Sequence, residues 1–269
     1  MSFNEWWLAY LALGALVGFV AGLLGVGGGG VMVPLLTTLF VAQGFPIEHL
    51  VHLALGTSMA AIVLTSASSL RAHHAHGAVL WRVVRYIAPG VLIGTFLGTF
   101  VASRVPTRPL AIFFACFMAY VSLQMLLNIK PKPSRELPGP VGTSLVGLAI
   151  GGMSALVAIG GGSLSVPFMT WCNVKVHQAI GTSAAIGLPI AVAGAVGYLI
   201  NGWGTAGMPE GTVGYVYLPA LVLITALSVA TAPVGARLAH RLPVATLKKI
   251  FALVLTLLSA KMVHSVLAS

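Results

Sequence analysis

GLLGVGGGGVMVP (Gly22–Pro34) carries six glycines in thirteen residues and closes on a proline. ALVAIGGGSLSVP (Ala155–Pro167) repeats the wording in the second half of the chain. Both stretches sit in nearly pure hydrocarbon: 58% of the 269 residues are hydrophobic, 7% are charged, and the mean hydropathy is +1.01. A soluble domain carries about 25% charged residues, so this chain lacks the polar atoms to cover a surface in water. Several apolar runs of about 17–22 residues are each long enough to cross a bilayer as helix. A transmembrane barrel needs short alternating segments instead, and none is present. The expected fold class is an all-α polytopic membrane protein in the lipid bilayer.

The apolar runs read as spans Trp7–Leu24, a short Val31–Ala42, Leu50–Leu70, Tyr86–Ala102 and Leu110–Leu127. A second set follows: Val141–Ile159, a short Ser163–Cys172, Ala179–Ile200, Val213–Ala236 and Ile250–Leu267. Between them lies NIKPKPSRELPGP (Asn128–Pro140), with four of the fifteen prolines and four charges. The chain therefore divides into a first repeat (1–128), a cytoplasmic linker (129–140) and a second repeat (141–269). LGTSMAAIVLTSA (Leu55–Ala67) answers to IGTSAAIGLPIAV (Ile180–Val192), and SRVPTRPLAIFFA (Ser103–Ala115) to HRLPVATLKKIFA (His240–Ala252). Similar segments in the same order mean one structural unit used twice.

The net charge of +10 would suggest nucleic acid in a soluble protein. Here the basic residues lie in short loops between apolar runs, so no nucleic-acid partner is expected and the charges set topology. If each long-plus-short helix pair starts and ends on one side, eleven Lys and Arg share a side, leaving Arg104, Arg108 and Lys261 opposite. That asymmetry places the linker in the cytoplasm and both termini outside, in the inner membrane. The N-terminus has no basic segment of a cleaved signal, and Trp6 and Trp7 read as interfacial anchors. With a hairpin plus three spans per half, the repeats are inverted, the architecture of secondary transporters.

Non-helical backbone survives at membrane depth only against protein or a wet cavity. The breaks at Gly27–Gly30 and Gly160–Gly162 free the first N–H groups of the following short helices, and helix N-termini attract anions. Glycine also lets a ligand approach the backbone. Gly28, Gly29, Gly30 and Val31, with Gly161, Gly162 and Ser163, are thus candidates for binding a small oxyanion. In a direct comparison of the two stretches, Ser163 offers a hydroxyl where Val31 offers none. Close helix packing through small residues is the alternative use of these glycines. The GTS segments add Thr57, Ser58, Thr182 and Ser183 as hydroxyl donors, their alternative being helix-to-helix hydrogen bonds. Apart from Lys261, no span contains Lys, Arg, Asp or Glu, so a cation or metal site has no carboxylates to build on.

RAHHAHGAVLW (Arg71–Trp81) lacks the i, i+4 histidine spacing of a helical metal site and reads as a solvated cytoplasmic loop. No metal and no cofactor are expected. His52 and His177, each preceding a GTS motif, are candidates for a gating or proton role, with an interfacial hydrogen-bonded histidine as the plainer alternative. Cys116 and Cys172 lie in apolar contexts and read as packed thiols.

These motifs together resemble the TauE/SafE (sulfite exporter) family. The resemblance rests on Gly25–Pro34, on GTS at Gly56–Ser58, on GAVLW (Gly77–Trp81) and on the closing segment Gly235–Leu255. It implies an inner-membrane transporter, with no enzymatic activity, that moves a small sulfur oxyanion such as sulfite, sulfoacetate or a taurine-derived sulfonate. Export by alternating access is the leading expectation, and a homodimer is an assembly it admits. The competing readings are an anion channel and a membrane thiol relay that uses Cys172.

Overall fold

The computed structural model describes residues 3–24, 28–127, 134–239 and 244–268. Ten α-helices account for most of them: α1 Phe3–Leu24, α2 Gly29–Ala42, α3 Leu50–Ala75, α4 Trp81–Arg104, α5 Thr107–Leu126, α6 Pro140–Val157, α7 Gly162–Trp171, α8 Val176–Asn201, α9 Leu218–Ala239 and α10 Val244–Ala268. Among the described residues, seven helices are long and apolar enough to cross a membrane, and Gly29–Ala42 and Phe251–Leu267 are shorter apolar helices. Helix dominates because hydrocarbon supplies no partner for a free backbone group, so each span must close its own hydrogen bonds. The result is the all-α polytopic membrane protein expected.

Both helical interruptions are present. α1 stops at Leu24 and α2 starts at Gly29; α6 stops at Val157 and α7 starts at Gly162. Each interrupted pair returns to the end of the bundle where it began. Gln43 at the end of α2 donates its side-chain amide to the hydroxyl of Tyr10, near the start of α1. At the end of α7, the Trp171 carbonyl accepts from the amides of Ser134 and Arg135 (3.3 and 3.4 Å), just ahead of α6. The Trp171 indole N–H donates back to Ser134 Oγ at 2.9 Å, and the Arg135 guanidinium stacks 4.9 Å from its ring centroid.

The helices pair across the halves. α1 packs along α9 and α6 along α4, while α3 crosses α8 and α5 meets α10. Exchanging the halves turns the first pairing into the second and leaves the other two unchanged. The close pairs depend on small residues. A Cβ on Gly14 or Gly18 would stand 2.3 Å from the carbonyls of Ile224 or Ser228. Gly147 and Gly151 hold the matching places against the carbonyls of Ile87 and Val91, at 2.6 and 2.5 Å. Such small-residue seams let membrane helices touch at backbone distance.

Two segments depart from the sequence reading. The expected span Val213–Ala236 opens as a two-stranded antiparallel hairpin, β1 Thr212–Val213 with β2 Val216–Tyr217, and helix begins only at Leu218. Gly211 (φ 81°) and Gly214 (φ 57°) set the turns, and tertiary partners take the strand's donors: Tyr215 N–H to Tyr198 O (3.1 Å) and Tyr217 N–H to Thr57 Oγ1 (3.0 Å). The other half uses the same device ahead of α4. After Gly77 (φ 66°), Leu80 N–H donates to Thr182 Oγ1 at 2.9 Å. Secondly, the stretch read as a solvated histidine loop is helical through Ala75, and His73 is buried. The apolar face of α3 continues past its expected end, and the indole of Trp81 folds back to donate to His74 Nδ1 at 3.3 Å.

The GTS motifs therefore anchor the extended segments that precede α9 and α4. Their glycines clear the strand: a Cβ on Gly56 would lie 2.2 Å from Tyr215 O, and one on Gly181 2.6 Å from Ala78 O. Gly56→Ala and Gly181→Ala are expected to cost about 1–3 kcal/mol by overpacking, read as a lowered thermal-unfolding midpoint in detergent. Gly139→Ala, whose Cβ would meet nothing within 4 Å, should leave the midpoint near wild type. Thr57→Val and Thr182→Val each strand a buried N–H and should also cost about 1–3 kcal/mol, whereas Thr→Ser at either position retains stability. Unchanged midpoints for both valine variants would remove the anchoring role.

Candidate functional site

Each break ends in the same local device. Gly28 (φ 70°, ψ −11°) and Gly161 (φ 79°, ψ −20°) precede their helices in the left-handed region, which glycine enters without a Cβ penalty. The Gly28 carbonyl accepts from Val31 and Met32 N–H at 3.2 and 3.0 Å; that of Gly161 accepts from Leu164 and Ser165 N–H at 3.1 and 2.7 Å. The N–H groups of Gly29 and Gly30, and of Gly162 and Ser163, lie ahead of the first intrahelical bond. This register also corrects the expected pairing of Ser163 with Val31. Counting from the left-handed caps, Ser163 matches Gly30, Leu164 matches Val31 and Ser165 matches Met32, because the first glycine run is one residue longer. Gly25–Gly27 lie outside the described residues.

The two breaks meet. A Cβ on Gly29 would stand 1.7 Å from the Ala158 carbonyl, at the end of α6, and 3.1 Å from Ile62 Cδ1 on α3. Ala158 itself is in the left-handed region (φ 47°), which turns its carbonyl out of the α6 spiral. Gly187 on α8 makes the complementary approach: a Cβ there would lie 2.8 Å from Gly160 O and 3.4 Å from Ser66 Oγ. Gly161 backs onto Ile190 and Ile186 of α8, and Gly30 onto Leu255 and Met118. Gly28–Val31 and Gly160–Ser163 are all buried.

Hydroxyls surround this meeting point. The Oγ atoms of Ser58, Ser163 and Ser165 are buried without a hydrogen-bond partner among the described residues. Ser58, Ile62 and Ser66 recur at i, i+4 and i+8 and share one face of α3, so Ser58 lies one turn from the Gly29 contact. Ser183, its counterpart on α8, donates to Ile180 O at 2.7 Å. Thr57 and Thr182 accept backbone amides, which leaves each only its hydroxyl hydrogen to offer a ligand. No Lys, Arg, Asp or Glu occurs in α2, in α7 or in the segments that join them to α1 and α6 at residues 25–28 and 158–161. The available chemistry is therefore uncharged: first-turn N–H groups, serine hydroxyls and the Ala158 and Gly160 carbonyls in a low-dielectric interior.

The two histidines differ. His52 is buried, with Nε2 3.1 Å from the carbonyls of both Ala102 and Val105, closing the C-terminal turn of α4. His177 is exposed at the start of α8. Among the described residues no group of three His, Cys, Asp or Glu side chains is gathered as a metal site requires. Cys172 caps the end of α7 as a buried free cysteine, whereas a thiol relay requires an accessible thiolate.

Ser165, Ser66 and the Ala158 carbonyl were missed by motif reading. Ser165 stood inside the quoted stretch, and matching the SVP and MVP endings instead of the glycine runs would have exposed its place. Nothing local in the sequence points to Ala158.

The sulfite exporter TauE/SafE family model matches residues 10–262. A probable membrane transporter protein of Haemophilus influenzae is 40% identical over 95% of this chain and 97% of its own length. One from Bacillus subtilis is 27% identical over 87% of this chain and 90% of its own, and one from Xylella fastidiosa 34% identical over 63% and 65%. No solved structure matches. With seven candidate spans and a family match across nearly its whole length, the chain belongs to the sulfite exporter TauE/SafE family and is a multi-pass membrane transporter.

Proposed function

We propose that this transporter is a secondary carrier that exports a small sulfur-containing oxyanion, such as sulfite, sulfoacetate or a related organosulfonate, across the inner membrane. The observation that carries the reading is the meeting of the two glycine breaks, Gly29 against Ala158 O, beside the unpartnered hydroxyls of Ser58, Ser163 and Ser165. Buried donors without partners are costly, and an oxyanion that accepts from them offsets that cost. Each short-helix N-terminus adds roughly half a positive charge, so a monoanion is met without any fixed cation. The first-turn amides Gly29, Gly30, Gly162 and Ser163 approach the oxygens, and Gly28, Val31 and Gly161 shape the two turns. Thr57, Thr182 and Ser183 hold the walls on which Ser58 sits.

Three observations support alternating access between inverted repeats. Both interrupted pairs begin and end at one end of the bundle, as the Tyr10–Gln43 and Ser134–Trp171 contacts indicate. Three long helices then complete each half, an odd number of crossings. The packing of α1 on α9 and of α6 on α4 interchanges when the halves are swapped. Placing the linker end in the cytoplasm puts eleven of the fourteen Lys and Arg inside and both termini outside. The inside-negative potential then drives an anion outward. In motion, the Gly29–Ala158 and Gly160–Gly187 contacts have no side chain to obstruct sliding.

A thermal-shift screen of the purified protein against sulfite, sulfoacetate, taurine, thiosulfate, sulfate and chloride tests the reading. A true substrate stabilises by about 2.7 kcal/mol at a hundred times its Kd. Ser58→Ala and Ser163→Ala should each weaken it about three- to tenfold, the worth of one hydrogen bond. A shift with sodium or an amine, and with none of the anions, would overturn the proposal. In reconstituted vesicles Cys172→Ser should transport at the wild-type rate, with stimulation by counterflow; loss of transport would restore the thiol relay, and flux without counterflow stimulation would favour a channel.

A further inference from the structure

The seam between α3 and α9 carries polar groups that the central site does not use. At its outer mouth, at the end bearing the His73–Trp81 turn, lies a cleft of about 340 Å³ lined by Ser68, Arg71, His73, His76, Pro233 and Arg237. The four carboxylates stand elsewhere: Glu5 in the first turn of α1, Glu48 ahead of α3, Glu136 in the linker and Glu210 in a different cleft. Inward from the two arginines, Ser68 Oγ donates to Val229 O at 3.3 Å. Deeper still, Thr65 Oγ1 and Ser228 Oγ are 2.9 Å apart, both buried. Ser66 then reaches the Gly160–Gly187 contact. Hydroxyls thus recur along this part of the fold from the basic mouth to the neighbourhood of the meeting point of the breaks.

Hydroxyl pairs between membrane helices often serve only as glue. The internal duplication distinguishes the two roles, because the fold repeats this seam between α8 and α4. Thr57 matches Thr182, and Gly77 matches Gly214 as the turn before α4 and α9. In that register Thr65 corresponds to Ile190, Ser66 to Ala191, Ser68 to Ala193, Ser228 to Val91 and Arg237 to Phe100. The matching seam has apolar residues at all five places and its own polar pair elsewhere, Asn201 Nδ2–H to Thr99 Oγ1 at 3.1 Å, so the fold does not fix hydroxyls or an arginine at these positions.

We propose that the α3–α9 seam is the path by which the anion travels between the basic end of the bundle and the central site. Arg71 and Arg237 form the capture site at its mouth, and the Thr65–Ser228 pair is its constriction; this rests on the anion-carrier reading above. Arginines at a cleft concentrate anions locally, and the hydroxyls replace part of the hydration shell as the anion descends.

The test uses full-length protein carrying Cys116→Ser and Cys172→Ser, reconstituted with the basic end accessible. In that background Ser228→Cys and Ser66→Cys should react with a negatively charged, impermeant methanethiosulfonate about tenfold faster than the matching Val91→Cys, since the basic mouth concentrates the reagent. Sulfoacetate, which unlike sulfite does not consume the thiosulfonate, should slow the reaction. Arg71→Gln and Arg237→Gln should raise the sulfite KM at that face about tenfold with kcat retained. If Ser228→Cys and Ser66→Cys react no faster than Val91→Cys while sulfite still stabilises the protein, the path is wrong and the carrier reading stands. If both cysteines react but sulfoacetate does not protect them, and neither it nor sulfite stabilises the wild type, both readings fall. Unchanged KM in the arginine variants, with lost stabilisation by phosphatidylglycerol vesicles, would assign the cleft to a lipid phosphate and overturn the capture role.

Discussion

An amide that leaves the helical spiral inside hydrocarbon must find a partner, and this fold twice leaves such amides at the same depth. The break before α2 and the break before α7 cannot face lipid, so each must be packed against protein. Gly29 pressed on the Ala158 carbonyl, and Gly187 pressed on that of Gly160, do this packing. Everything outside that contact serves to bring the two breaks together: the small-residue seams of α1 with α9 and α6 with α4, and the crossing of α3 over α8. The same constraint yields chemistry. A region closed by backbone and hydroxyls offers hydrogen-bonding groups without fixed charge.

The duplication is nearly complete in backbone and incomplete in side chains. Both left-handed glycine caps, both GTS anchors and both extended segments before α4 and α9 recur. The halves depart in the connection before α9, which is longer than that before α4 and forms a hairpin, and in side chains: His52 against exposed His177, Ser163 against Gly30, Ser165 against Met32, and the hydroxyls of the α3–α9 seam against aliphatic counterparts. Duplicated folds separate the two kinds of constraint in this way. What both copies keep is structural, and what only one keeps is where a directional function can reside.

The GTS motif illustrates how a polar signature within a membrane helix can mislead. Serine and threonine in an apolar run suggest ligand hydroxyls, yet the threonine here accepts an amide from a strand distant in sequence. The glycine before it clears that strand's carbonyl. The serine that follows has no partner among the described residues at Ser58, while at Ser183 it bonds back to its own helix.

Composition and repeat order determined much by themselves. Hydrophobic runs with so few charges leave no fold but spanning helices, glycine clusters followed by proline cannot continue a helix undisturbed, and a doubled motif order means a doubled unit. Those are local or compositional constraints, so the helices, both interruptions and the family were legible in the residues. Only the tertiary structure decided that the two breaks touch, that the segment before α9 is a strand, that the histidine stretch is helix, and which hydroxyls are already engaged. The contact of the breaks and the strand depend on partners far away in sequence, at Ala158, Thr57 and Tyr198, and no local pattern encodes the distance between residues that meet only after the helices pack.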